Sequence, residues 1–445
     1  MRILIFVILS GFFSYCFGQS DSLRPEKKDT IRGLRFAFLP VLTYDSDLGL
    51  KVGLLTTAYQ FGDGSAYPDY IYNISYEINR TTKGSGISQL FFDSGKLLKG
   101  GKHRIVADFS LIHEQATDFY GLNGAASKYV PEFEKTDSLQ YISRMYYNFD
   151  RSIFRLTADW HEQFSNRLMF LVGIHHYGFR QNTVDISKLN EGKDADDLLP
   201  DTITLFDYYR ETGVLDSAQA DGGNVTMLRT GLVYDTRDVE FNATKGMWLE
   251  GIISVSPKLP WIENPFVRAS VILRNYFPLY RNKLTVASRL GWQDNLGKQA
   301  PFYFMPYISQ SYCNNSLVEG LGGAKTLRGI LRNRIWGDGF FYGNFELRWS
   351  VARFMAIKQK VEIKLKPFYD FGIITDPYKF EITSTLTGNY PPLLLSADND
   401  QWHHSTGAGI HFVMNDNFIL TIDYGRSLKA NDGISGLYIG TGFLF

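Results

Sequence analysis

Three groups of residues carry side chains suited to chemistry. Asp235, Arg237 and Asp238 set two carboxylates beside a guanidinium, the makings of an acid–base pair or a metal site. His175-His176 and His403-His404 are adjacent imidazoles. The stretch 182–224 carries Glu191, Asp194, Asp196, Asp197, Asp201, Asp207, Glu211 and Asp216, oxygen donors of the kind Ca²⁺ takes. Spacing argues against each as a local site. Adjacent residues of a strand point to opposite faces, so neither histidine pair chelates through its own two rings. The acidic stretch lacks EF-hand spacing and reads as a solvated surface loop. The Asp235 group reads as a charged hairpin whose turn Gly246 eases, with the catalytic reading beside it. No Gly-x-Ser-x-Gly elbow, P-loop or His-Glu-x-x-His is present. A hydrolase assembled from distant Ser, Asp and His stays open. The expectation is no enzyme, no metal and no other cofactor.

The elements that position these residues begin with an export signal. Met1-Arg2, an apolar run from Ile3 to Phe13 and a small-residue end at Gly18 form a secretory signal peptide, residues 1–18. The run is too short for a membrane-spanning helix, which needs about 20 residues. Cys16 invites a lipoprotein reading, but Tyr15 stands where such signals want a small residue. After cleavage Cys313 is the one thiol left, which excludes a disulfide framework. Basic and acidic residues balance at 46 each, against a nucleic-acid partner. Mean hydropathy is −0.16, yet aromatics reach 15% of the chain. An exported chain of average polarity rich in aromatics suits a transmembrane β-barrel, where alternate residues face lipid.

Alternation decides the class. From Val361 to Ile373 the odd positions are almost all apolar, while Glu362, Lys364, Lys366 and Asp370 fall on the other parity. In 341–351, Phe345, Leu347 and Trp349 oppose Asn344, Glu346 and Arg348. In 246–256, Leu249, Ile253 and Val255 oppose Glu250, Ser254 and Ser256. Strict period two means one strand with two unlike faces. A Lys or Arg facing lipid at mid-bilayer costs about 2–4 kcal/mol, so the polar parity must face a lumen. About sixteen such strands can be laid out, an even number as in bacterial barrels. Their spans are 34–43, 48–60, 69–80, 87–97, 103–114, 151–163, 168–181, 225–236, 246–256, 265–278, 283–294, 339–351, 360–374, 403–414, 418–426 and 434–445. The fold class is all-β, a transmembrane antiparallel barrel over 33–445. Residues 19–32 are polar and read as a short disordered periplasmic N-terminus.

Three segments resemble the Omp85 superfamily (BamA/TamA-like, surface antigen barrels). One is Gly322-Gly323-Ala324-Lys325-Thr326-Leu327-Arg328-Gly329-Ile330 with Asn344-Phe345-Glu346-Leu347-Arg348 downstream. Another is Tyr234-Asp235-Thr236-Arg237-Asp238 with Lys245-Gly246, which resembles a strand–turn–strand signature. The third is Pro367-Phe368-Tyr369-Asp370-Phe371-Gly372. Ile330 replaces the family's usual aromatic, and Ala243 a common Pro. The resemblance implies that the loop 295–338 folds back into the lumen and sets Arg328 against Glu346 and Asp370, both on the lumen parity. A planar guanidinium pairs with carboxylates through two bonds at once. The C-terminal stretch places Leu437, Ile439, Phe443 and Phe445 in alternation, a signal for outer-membrane assembly machinery, and its strand is expected to close the barrel on the first one.

The resemblance implies a bacterial outer-membrane protein that assists insertion or translocation of other proteins, with Gly433, Gly436, Gly440 and Gly442 loosening the closing strand. The segment 19–32 is too short for a POTRA domain, so a form lacking these domains is expected, with a soluble periplasmic or lipoprotein partner in their place. Outer-membrane lipid and the machinery that inserts the barrel are the other expected partners. A plugged passive channel or structural barrel is the alternative.

Overall fold

The computed structural model describes residues 31–45, 49–67, 69–239, 242–262, 264–280, 283–311, 319–356, 359–382, 400–414 and 418–445. The signal peptide, Cys313 and most of 19–32 lie outside the described residues. The first eight strands are β1 (Leu34–Asp45), β2 (Gly49–Gln60), β3 (Tyr72–Thr81), β4 (Gly86–Asp93), β5 (His103–Asp118), β6 (Asn148–Gln163), β7 (Leu168–Asn182) and β8 (Gly222–Asp235). The second eight are β9 (Gly246–Ser256), β10 (Phe266–Tyr280), β11 (Leu284–Asn295), β12 (Gly339–Ala356), β13 (Gln359–Asp376), β14 (His403–Met414), β15 (Phe418–Ser427) and β16 (Ser435–Thr441). They form one 16-stranded sheet in sequence order. Each neighbouring pair is antiparallel, as short connections demand.

The two faces of the sheet are inverted relative to a soluble protein. On β6, Phe154, Leu156 and Trp160 are exposed while Arg155, Thr157, Asp159 and His161 between them are buried. On β12, Phe345, Leu347, Trp349 and Val351 are exposed and Asn344, Glu346, Arg348 and Ser350 are buried. The apolar parity faces lipid and the polar parity the lumen, as period two requires. Buried charges on the lumen wall are paired: Arg155 with Asp108 at 2.6 Å, Arg151 with Glu114 at 2.6 Å, Arg229 with Asp159 at 3.3 Å. The longest connections, 119–147, 183–221, 296–338 and 377–402, all lie at the end opposite the chain's termini, which is the outer end of such barrels.

Three of those long loops bury part of their length. Segments 119–147, 183–221, 296–311 and 319–338 pack over the outer mouth around one aromatic cluster that includes Phe119, Phe149, Phe206, Tyr209, Phe302 and Trp336. Phe119 sits edge-on to the other five rings at centroid distances of 5.3–6.1 Å. Fully burying each such ring contributes about 1.5–3 kcal/mol. The acidic stretch 182–224, expected as a solvated surface loop, keeps its acids at the surface but seats Leu205, Phe206 and Tyr209 in this cap. It folds into α1 (Ile186–Asn190), α2 (Leu205–Glu211) and α3 (Ser217–Ala220). Several of its acids are helix caps: Asp185 accepts from Lys188 N, Asp216 from Ala218 N, and Asp207 completes a capping box with Thr204. Glu191, Asp194, Asp196, Asp197, Asp201, Glu211 and Asp216 are exposed, and Asp207 is half-buried.

The last strand departs from expectation. β16 stops at Thr441 because Gly442 adopts φ +83°, which turns the chain out of the sheet. Phe443, Leu444 and Phe445 enter the lumen instead of continuing to alternate. Among the described residues no ladder joins β16 to β1, so the closing pair expected from the sequence is absent.

Candidate functional site at the centre of the lumen

The loop segment 319–338 turns at Gly322-Gly323. Both adopt positive φ, and a Cβ on Gly322 would meet Leu331 O at 2.0 Å. Thr326 closes this turn, accepting from Gly322 N at 2.8 Å and donating to Gly322 O at 3.0 Å. The lumen wall holds the apex by its carbonyls: Arg289 donates to Lys325 O and Asn344 to Thr326 O. Leu327 and Ile330 anchor the next turn in an apolar nest with Leu321, Ile335, Phe340, Tyr342 and Ile374. Ile330 is 1% exposed there.

Between those anchors Arg328 points into the centre. Its Nε and Nη2 form a fork on Asp370, each at 2.9 Å, and its backbone N–H donates to the same carboxylate at 3.0 Å. Nη1 donates to Glu346 at 2.7 Å and to Asp423 at 3.1 Å. The guanidinium lies 3.6 Å from the centroid of the Phe368 ring. Arg348 pairs with Glu346 at 2.8 Å, and Lys366 bridges Glu346 at 3.1 Å and Asp423 at 2.9 Å. His411 completes the ring, its Nε2 at 3.0 Å from Asp423. Three carboxylates thus face three fixed cations, a balanced cluster in which Glu346 and Asp423 each have more than one partner while Asp370 is held, among the described residues, by Arg328 alone. Gly329, at φ +90°, brings backbone against backbone: a Cβ there would lie 2.5 Å from Arg426 N on β15. Its N–H donates to the Tyr438 hydroxyl on β16 at 2.9 Å.

The structure brings together Leu327, Arg328, Gly329, Ile330, Glu346 and Asp370. Sequence reasoning did not include Asp423, Lys366, Arg348 and His411 in this group. Lys366 and Arg348 already stood on the lumen parity, and Asp423 alternates inward on β15. Parity names the wall but not who meets across it.

The C-terminal residues divide. Leu437 and Ile439 are exposed on the outer face of β16. Phe443 and Phe445 lie inside: Arg348 stands over both rings, at 4.0 and 5.1 Å, and Phe445 packs beside Tyr276. Arg348 also donates to Phe445 O at 2.9 Å. The four therefore do not share one alternating face, a correction that follows from Gly442.

The turn motif sits elsewhere, at the periplasmic mouth. Arg237 forks onto Asp235 at 3.0 Å through Nε and Nη2 and lies 4.5 Å over the Trp248 ring. Asp238 accepts from Thr244 N at 3.0 Å and from its hydroxyl at 2.6 Å. Burial alone would raise the Asp238 carboxyl, but these bonds hold it below the usual carboxylate range. Gly246, at φ +99°, would place a Cβ 2.2 Å from Thr236 O. Each histidine pair splits across the sheet: His175 meets Asp159 in the lumen at 3.0 Å while His176 bonds Thr226, and His403 bonds Asp400 while His404 meets Tyr369.

A model of the Omp85 superfamily domain matches residues 134–445. Among solved structures, BamA from Haemophilus ducreyi lacking POTRA domains 1–3 is similar, with a TM-score of 0.51 and 14% identity over 92% of this chain and 70% of that one. CdiB from Escherichia coli is similar too, with a TM-score of 0.52 and 10% identity over 95% of this chain and 63% of that one. At these identities the likeness is one of fold. No curated protein is significantly similar in sequence.

Proposed function

The chain belongs to the Omp85 superfamily and is a β-barrel of the bacterial outer membrane, and from that premise we propose that it assists the insertion or translocation of other proteins there. The observation that carries this reading is the seam. β1 has no partner on its outer edge among the described residues, and β16 is short and tied inward through Tyr438 and the turned tail. A strand edge with free N–H and C=O groups can take up an incoming extended segment. The Arg328 cluster supports this by fixing the loop 296–338 against β12, β13 and β15, so that the wall beside the seam stays rigid while the edge stays available. The role is non-enzymatic. It involves lipid, the machinery that inserts the barrel itself, and a soluble periplasmic or lipoprotein partner for client capture.

Depletion in the host, followed by quantification of the outer-membrane proteome, tests this reading. Rescue with wild type but not with Arg328→Ala should restore a defined set of barrels or surface proteins. An unchanged proteome with altered permeability to small solutes would instead establish the second reading, a plugged channel, which the aromatic cap across the outer mouth favours. Single-channel recordings give an independent check: the plugged channel conducts once the cap is displaced.

A further inference from the structure

Four periplasmic turns of the N-terminal half surround a cavity of about 400 Å³ that neither the seam nor the Arg328 cluster uses. Its volume lies in the range that holds a small ligand or a few side chains (about 300–1,000 Å³). The floor is apolar: Met169, Val233 and Trp248 line it, backed by Leu171 and Ile252. The rim is cationic, with Lys96, Lys102, Arg104, Arg167 and Arg237. Three of these have a carboxylate close by, Lys96 with Asp69 at 3.4 Å, Arg104 with Asp93 at 2.5 Å and Arg237 with Asp235 at 3.0 Å. Lys102 and Arg167 are exposed and have no ion-pair partner among the described residues. The remaining rim acid, Asp238, is engaged by Thr244. The Asp235–Arg237–Asp238 turn therefore forms one wall of a concave site with an apolar base and two uncommitted cations at its lip.

We propose that this cavity binds an acidic peptide segment of a periplasmic partner, seating one apolar or aromatic side chain on the Met169–Val233–Trp248 floor and flanking carboxylates on Lys102 and Arg167. Charge complementarity selects acidic over basic segments, and the apolar floor selects a peptide over a free anion. The inference rests on the reading that the barrel handles polypeptide at its periplasmic end.

The test uses the purified full chain in detergent and a fluorescent pentapeptide, Asp-Glu-Phe-Glu-Asp, followed by anisotropy. Saturable binding that weakens with added salt is expected. Lys102→Glu combined with Arg167→Glu should weaken it by about tenfold or more. Both positions are exposed, so heat-modifiability should stay that of wild type, separating lost binding from lost fold. Equal binding of a Lys-Arg-Phe-Arg-Lys peptide, or an unchanged affinity in the double variant, overturns the proposal. So does full competition by inorganic pyrophosphate together with indifference to replacing the Phe by Gly, which would mark a phosphate site. Client loss on depletion without peptide binding would remove this site and leave the assembly role standing. Peptide binding with an unchanged proteome would support the site and remove that role.

Discussion

The lumen is filled by two unlike materials. At the outer mouth, rings such as Phe119, Phe206 and Trp336 pack against one another with no required partner. At the centre, Arg328 meets Glu346, Asp370 and Asp423 through bonds that each need a specific atom in place. Apolar packing is non-directional and spreads its stabilisation over many small contacts, so an exchange that keeps volume is tolerated. A buried charge cluster is close to all-or-none, because removing one member strands the rest without water. The cap is therefore robust filler, and the cluster is the fastener that fixes where the loop sits.

The largest effect expected from breaking this contrast is Arg328→Met. Three carboxylates would then face only Arg348 and Lys366, at a cost of about 3–5 kcal/mol. Protease cleavage within 296–338 of the membrane-embedded protein should rise sharply, and the heat-modifiable band should unfold at lower temperature. A wild-type pattern would mean the cluster is incidental to loop placement. An apolar swap of similar size in the cap, Met305→Leu, at a residue with no exposed surface, should cost under about 1.5 kcal/mol by the same thermal assay. A loss equal to that of Arg328→Met would erase the distinction. Thr204→Ala removes the capping box of α2 and should cost about 1 kcal/mol. Hydrogen exchange should quicken over 204–212 and leave 322–330 as in wild type.

The smallest effect concerns pH. Asp400 accepts from Ala125 N, Ile374 N and His403, joining the loops at the edge of the cap. Burial alone would raise its carboxyl, but His403 and these amides hold it below the usual range. A depressed folded value means its contribution is complete above the unfolded carboxyl value of about 3.9 and fades as pH falls through the lower folded value. Protease resistance of 119–147 should thus be flat from about pH 6, below the ordinary imidazole value, to near pH 4 and decline only below that, while Asp400→Asn should abolish the acid-dependent decline.

How much of this could be read beforehand differs by residue. The inward placement of Glu346 and Asp370 followed from period two, because a pleated strand leaves no other choice. The company of Asp423, Lys366 and His411 depended on register between β13, β14 and β15, where Lys366 pairs with Gly409 and Asp423 with Gly409 in turn. Alternation carries no information about that. The inward turn of Phe443 and Phe445 was hidden for a related reason: apolar alternation runs on through Gly442, and nothing in the pattern reports a positive φ. The cap was hidden because a count of carboxylates reports neither the helix-capping bonds of Asp207 and Asp216 nor the burial of Leu205, Phe206 and Tyr209 beside them.

Burial of the Arg328 cluster also sets how the protein meets its medium. Arg328 is 1% exposed and the carboxylates it binds 0–9%, whereas Lys96 and Asp69 on the periplasmic rim are 44% and 61% exposed. Dissolved ions screen exposed charges over about 10 Å at 0.1 M and about 3 Å at 1 M, and reach buried pairs far less. Swings in ionic strength around the cell will therefore modulate whatever the rim attracts, while the loop keeps its seat in brine as in fresh water.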